Sequence, residues 1–134
     1  PENYYSLKHS PEIHFRGNIK KILKKIRDSY IITGKGFTGR MIQLFYPNLS
    51  IELYNFRKVK LEKKDKILDV GSGSGIIPYV FFNAGFVKIT GIDPYISNDI
   101  IYENGLTIKK IDFLDFNAYD FDVIMYNHSF EHLS

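Results

Sequence analysis

The run Lys66-Ile67-Leu68-Asp69-Val70-Gly71-Ser72-Gly73-Ser74-Gly75 decides the fold. Ile67, Leu68 and Val70 suit a strand buried on both faces of a parallel sheet, and that strand runs into three glycines at alternate positions. Glycine accepts a tight turn and lets backbone approach a ligand without interference from a Cβ atom. The segment from Ile76 onward reads as a helix, so its first N–H groups point back at whatever the turn holds. A strand, a glycine turn and a helix in that order make a nucleotide-cofactor loop.

Glycine spacing separates the cofactor classes. The dinucleotide fingerprint G-x-G-x-x-G needs its third glycine at position 76, but this chain has Ile76 there and Gly75 before it. No Lys-Ser or Lys-Thr pair follows, which excludes the phosphate-binding P-loop. An acidic residue followed by G-x-G-x-G resembles the first motif of the class I S-adenosylmethionine-dependent methyltransferases. Three further landmarks extend the resemblance over residues 66–134. Lys88-Ile89-Thr90-Gly91-Ile92-Asp93 is a second strand ending in a carboxylate, twenty-four residues after Asp69. Thr107-Ile108-Lys109-Lys110-Ile111 is a third strand, followed by Asp112-Phe113. Phe121-Asp122-Val123-Ile124-Met125-Tyr126 is a fourth, followed by Asn127-His128-Ser129-Phe130-Glu131-His132.

The resemblance implies S-adenosyl-L-methionine as cofactor, held at Asp69, Gly71, Ser72, Gly73 and Gly75. It implies that Asp93 accepts both ribose hydroxyls, a role to which the two oxygens of a carboxylate are suited. It further implies that Asp112 accepts from the exocyclic amine of adenine, that Phe113 is an apolar wall, and that Asn127 and its neighbours flank the methyl group. His128 exchanges a proton near neutral pH and is the candidate catalytic base; the competing reading makes it a wall of the methionine pocket. Asp93-Pro94 also has the chemistry of a turn start, and Asp112 that of a cap. Asp122 is assigned to the start of the fourth strand.

Local signals between the landmarks predict alternating strands and helices. Ile76 to Ala84 reads as a helix with Pro78 in its first turn and Gly85 at its stop, and Ser97 to Glu103 as a shorter helix closed by Asn104-Gly105. Such alternation predicts an α/β, doubly wound, mostly parallel sheet of Rossmann-like type, with the ligand outside the carboxyl ends of the strands. The chain stops soon after the fourth strand whereas the resembled fold continues, so an incomplete domain is expected. Val123 to Tyr126 would then be an apolar edge open to self-association.

Residues 1–65 precede this domain, which spans 66–134. Ile19, Ile22, Leu23, Ile26 and Tyr30 recur at helical spacing between Asn18 and Ile32, with Lys20, Lys21, Lys24, Lys25 and Arg27 on the other positions. Phe37 to Tyr46 and Ser50 to Val59 read as further helices. In the resembled family such N-terminal helices cap the site and select the substrate. Residues 1–66 carry fifteen Lys/Arg against six Asp/Glu, and residues 67–134 three against nine. A basic helix beside a cofactor domain fits an anionic acceptor, and equally a solvated helix face.

The chain has no cysteine, which removes disulfides, thiolate zinc sites and thiol nucleophiles. His128 and His132 are four apart but lack the H-E-x-x-H order, so no metal is expected. With no apolar stretch approaching about 20 residues and no signal peptide, a cytoplasmic location is expected. Asn127 lacks the following prolines of the Asn-Pro-Pro-Tyr motif of amino-methylating nucleic-acid enzymes, which favours a small-molecule acceptor over nucleic acid. The reading is a methyltransferase. A cofactor-binding module without catalysis and a nucleotide-binding oxidoreductase domain with a variant glycine loop both stay open.

Overall fold

Ile67–Val70 forms strand β1 and is buried at all four positions, as a run without polar alternation requires. A computed structural model describes residues 11–117 and 119–126, with side chains from residue 17 onward. The chain divides into two compact units, Pro1–Glu62 and Lys63–Ser134.

In the second unit β1 is joined by β2 (Ile89–Ile92), β3 (Ile100–Ile101), β4 (Thr107–Lys109) and β5 (Val123–Tyr126), in the order β3-β4-β2-β1-β5. β1 pairs parallel with β2 and β5, and β2 parallel with β4, so four strands end at the same side of the sheet. This is the mostly parallel α/β sheet that the sequence predicts. Leu68, Val70 and Ile92 form a buried cluster, covered by Ile111, Phe113, Phe116, Phe121 and Tyr126. Lys66 N donates to the Asp122 carboxylate at 2.8 Å, which aligns β5 with β1 at the end of the sheet away from the glycines. Among the described residues β5 pairs on one side only, and its Ile124 is exposed.

The helix after the glycines, α4, runs Ile76–Asn83. Its end is set by Gly85 at φ +108°, where Phe86 N donates to Phe81 O at 3.0 Å and Gly85 N to Phe82 O at 3.1 Å. That pair of bonds closes a Schellman turn, and the Phe81 and Phe86 rings, 5.3 Å apart, supply its apolar contact.

The helix expected over Ser97 to Glu103 does not form. Ile100 and Ile101 pair antiparallel with Ile108 and Thr107, making β3 and β4 a hairpin. Asn104-Gly105, read as a helix stop, is its turn: Gly105 takes φ +95° and Leu106 N donates to Asn104 Oδ1 at 3.0 Å. Two adjacent β-branched residues next to an Asn-Gly favour the strand once a partner strand is present.

The first unit holds α1 (Pro11–Thr33), α2 (Phe37–Phe45), α3 (Ile51–Asn55) and a 3-10 turn over Phe56–Val59. α2 approaches α1 through Gly39, where a Cβ atom would stand 2.4 Å from Tyr30 Cβ and 2.8 Å from Ile26 O. Ser50 caps α3 by accepting from Leu53 N at 3.4 Å. Arg57 donates to Ile31 O at 2.6 Å and Tyr30 O at 3.1 Å, closing the end of α1 while its guanidinium stacks on the Tyr30 and Tyr54 rings. Arg27, placed by spacing on the solvated side of α1, is instead buried. Its Nε donates to Asp28 Oδ1 at 3.0 Å, one Nη donates to Tyr46 O at 3.1 Å, and its guanidinium lies 4.8 Å from the centre of the Tyr46 ring.

Candidate functional site

The parallel register puts Val70 level with Ile92 and Tyr126, and Ile92 level with Lys109. Residues 71–75 and Asp93 therefore leave the sheet at the same end. The glycine loop is held there by its own amides. Gly71 N and Ser72 N both donate to Ile92 O, at 2.9 and 3.2 Å, and Gly73 N donates to Asp93 Oδ2 at 2.9 Å. Gly75 N donates to Ser72 O at 2.9 Å, which tightens the turn into α4.

Asp93 is the clasp of this arrangement. Besides Gly73 N it accepts from Tyr95 N at 2.8 Å through its other oxygen, so its turn-starting and loop-holding roles coexist. Each carboxylate oxygen has two lone pairs and has accepted one N–H, which leaves acceptor capacity on both. Asp69 is buried in β1, level with Gly91 and Met125.

The three loop glycines have different work. All take positive φ, at +73°, +56° and +84° for Gly71, Gly73 and Gly75. A Cβ atom on Gly73 would meet nothing within 4 Å, so that side of the loop is open to a ligand. On Gly75 it would lie 2.5 Å from Ile108 Cδ1 and 2.6 Å from Ile108 Cγ1. Gly75 thus packs the loop onto β4.

Two residues of the site escape the motif reading. Gly91 sits inside β2, and a Cβ atom there would stand 2.6 Å from Ser72 Oγ and 2.7 Å from Ile108 Cδ1. An isolated glycine in a strand marks close approach of other atoms, so this signal was present in the sequence. Tyr102 follows β3; its hydroxyl donates to the carbonyl of Ser74, and its ring lies 5.0 Å from that of Tyr79 on α4. Nothing local to Tyr102 announces that contact, because the hairpin creates it.

Asp112 is exposed and accepts from Leu114 N at 2.9 Å, a turn of its own making. Phe113 is half-buried against the Leu68, Val70 and Ile92 cluster and meets Tyr126 edge-on with ring centres 5.7 Å apart. It thus packs beside the ends of β1 and β2. Asn127, His128, Glu131 and His132 lie outside the described residues. No group of acidic or histidine side chains able to hold a metal occurs among the described residues.

A family model described as a methyltransferase domain matches residues 43–134. Neither the curated proteins nor the solved structures give a match.

Proposed function

We propose, from the premise that this chain belongs to the methyltransferase domain family, that it binds S-adenosyl-L-methionine and methylates a small, anionic acceptor. The observation that carries the cofactor is the loop itself. The amides of Gly71, Ser72, Gly73 and Gly75 are spent on Ile92 O, Asp93 and Ser72 O. A loop whose amides turn inward is poorly suited to cradling a pyrophosphate, the feature that a dinucleotide would need. It suits a cofactor that presents an amino acid, a ribose and an adenine instead.

The residues present fit that group. Gly73 leaves room on the open side of the loop, Asp93 retains acceptor capacity for a vicinal diol, and Phe113 lies at the ends of β1 and β2 as a candidate apolar surface. When bound, S-adenosylmethionine supplies an activated methyl and its own leaving group. The chain's contribution is alignment of the acceptor, and His128 is the candidate to take a proton from a hydroxyl acceptor. The excess of Lys and Arg in residues 1–66 supports an anionic acceptor.

Thermal shift with S-adenosylhomocysteine and with NAD tests the cofactor reading. S-adenosylhomocysteine is expected to raise the melting temperature and NAD to leave it unchanged; the reverse would replace the reading by the oxidoreductase one. Product formation with a metabolite pool then separates an enzyme from a binding module.

Two substitutions sharpen the assignment. Asp93→Ala should weaken S-adenosylhomocysteine binding by about 1.5–3 kcal/mol, because it removes a charged acceptor and frees the loop at Gly73. Equal affinities in isothermal titration would remove Asp93 from the ribose site. Gly73→Val should leave the unit folded and cut affinity by at least about tenfold, since its methyls enter the open side of the loop at a cost of about 1–2 kcal/mol in backbone strain. A folded Gly73→Val that binds normally would show that the ligand does not lie against this glycine.

A further inference from the structure

From Asn18 to Ile26, α1 is exposed at every residue. Ile19, Ile22, Leu23 and Ile26 recur there at helical spacing and share one stripe. Lys20 and Lys25 flank that stripe, Lys21 and Lys24 fall opposite it, and no acidic residue interrupts them. α2 lies on the continuation of the same stripe, because its Gly39 meets Tyr30 and the carbonyl of Ile26. The side of α2 turned away from Gly39 carries Phe37, Met41 and Leu44, with Phe45 adjoining. Phe37, Leu44, Phe45 and the following Leu49 and Ile51 are 68–83% exposed. Two apolar helix faces therefore open the same way, with lysines along one of them.

Charge complementarity and shape together select the occupant. An apolar helix face bordered by lysines matches acyl chains lying beneath anionic headgroups: aromatic and aliphatic tips immerse, and lysine stems follow the apolar surface while their ammonium groups reach phosphate. The outer side of a helix is convex, and a fluid bilayer accepts a convex surface that a protein partner would have to match with a groove. No described helix is long and apolar enough to cross a membrane, so the mode is attachment at the surface. We propose that α1 and α2 attach this protein to anionic lipid bilayers, a role independent of the cofactor reading.

Cosedimentation of the whole chain with vesicles tests it, comparing phosphatidylcholine alone with phosphatidylcholine containing one-third phosphatidylglycerol. Binding is expected with the anionic vesicles and not with the neutral ones. Replacing Lys20 and Lys25 together by Gln should lower partitioning about twenty-five-fold, given roughly fivefold per lysine near the surface. Phe37→Ser combined with Leu44→Ser should also remove binding, with the circular dichroism spectrum unchanged. Absence of binding to anionic vesicles, or equal binding to both kinds, overturns the proposal. Sedimentation velocity in which the Phe37→Ser, Leu44→Ser pair turns a dimer into a monomer overturns it too, since the face would then cover a second copy. So does retention of an RNA oligonucleotide that needs the lysines and ignores Phe37 and Leu44, without vesicle binding.

Discussion

Gly75→Val is expected to destabilise the α/β unit by about 2–5 kcal/mol, enough to unfold a marginally stable domain. Two costs combine. A branched side chain at φ +84° is strained by about 1–2 kcal/mol, and a Cβ atom driven against Ile108 adds an overpacking cost of about 1–3 kcal/mol. The contact lies between the turn into α4 and the centre of β4, so relief requires the loop to leave the sheet. A double substitution divides the two costs: in a Gly75→Ala background, Ile108→Val removes the Cδ1 atom and should recover part of the packing loss but none of the backbone strain. Urea unfolding measures both. A Gly75→Val protein as stable as the parent would refute the packing role.

Asp28→Ala should cost the helical unit about 3–5 kcal/mol, the usual consequence of leaving one partner of a buried ion pair behind. Asp28 Oδ1 accepts from Arg27 Nε and, at 3.2 Å, from Asn48 Nδ2. Asn48 N in turn accepts no proton but donates to Gln43 Oε1, whose amide nitrogen donates to Asn48 O and to the Tyr54 hydroxyl. Removing Asp28 thus strands a buried guanidinium and loosens a network that joins α1, α2 and α3. The control is the paired replacement Arg27→Met, Asp28→Leu, which removes both charges and is expected to recover most of the loss. If Asp28→Ala alone shifts the urea midpoint by less than the scatter between preparations, the pair contributes no net stability.

The misplacement of Arg27 and the missing helix at Ser97 to Glu103 have a common physical origin. Helical spacing placed α1 over Asn18 to Ile32, short of its start at Pro11, and spacing does not tell a buried cation from a solvated one. Arg27 is buried because the neighbouring Asp28 carboxylate and, from nineteen residues on, the carbonyl and ring of Tyr46 satisfy it. Likewise Ile100-Ile101 followed by Asn104-Gly105 is compatible with a helix end or a hairpin. Pairing of Ile100 with Ile108 decides between them, together with Lys110 N donating to Asp99 Oδ1 at 2.7 Å.

Sequence by itself determined the α/β class, the position of β1, the glycine turn, the start of α4 and its stop at Gly85. Each is a short-range matter: an unbroken apolar run, a set of φ values open chiefly to glycine, a proline in a first turn. Tertiary structure alone decided what each residue of the turn does. Gly73 and Gly75 differ by two positions and are indistinguishable in the motif, yet one faces open space and the other Ile108 of a strand more than thirty residues later. Asp93 grips Gly73, and Tyr102 reaches Ser74, only because the parallel register brings the ends of β1 and β2 level and the β3–β4 hairpin folds back beside them. Backbone preference is written residue by residue, whereas a side chain's partner is set by which distant atoms the sheet places within a few ångströms of it.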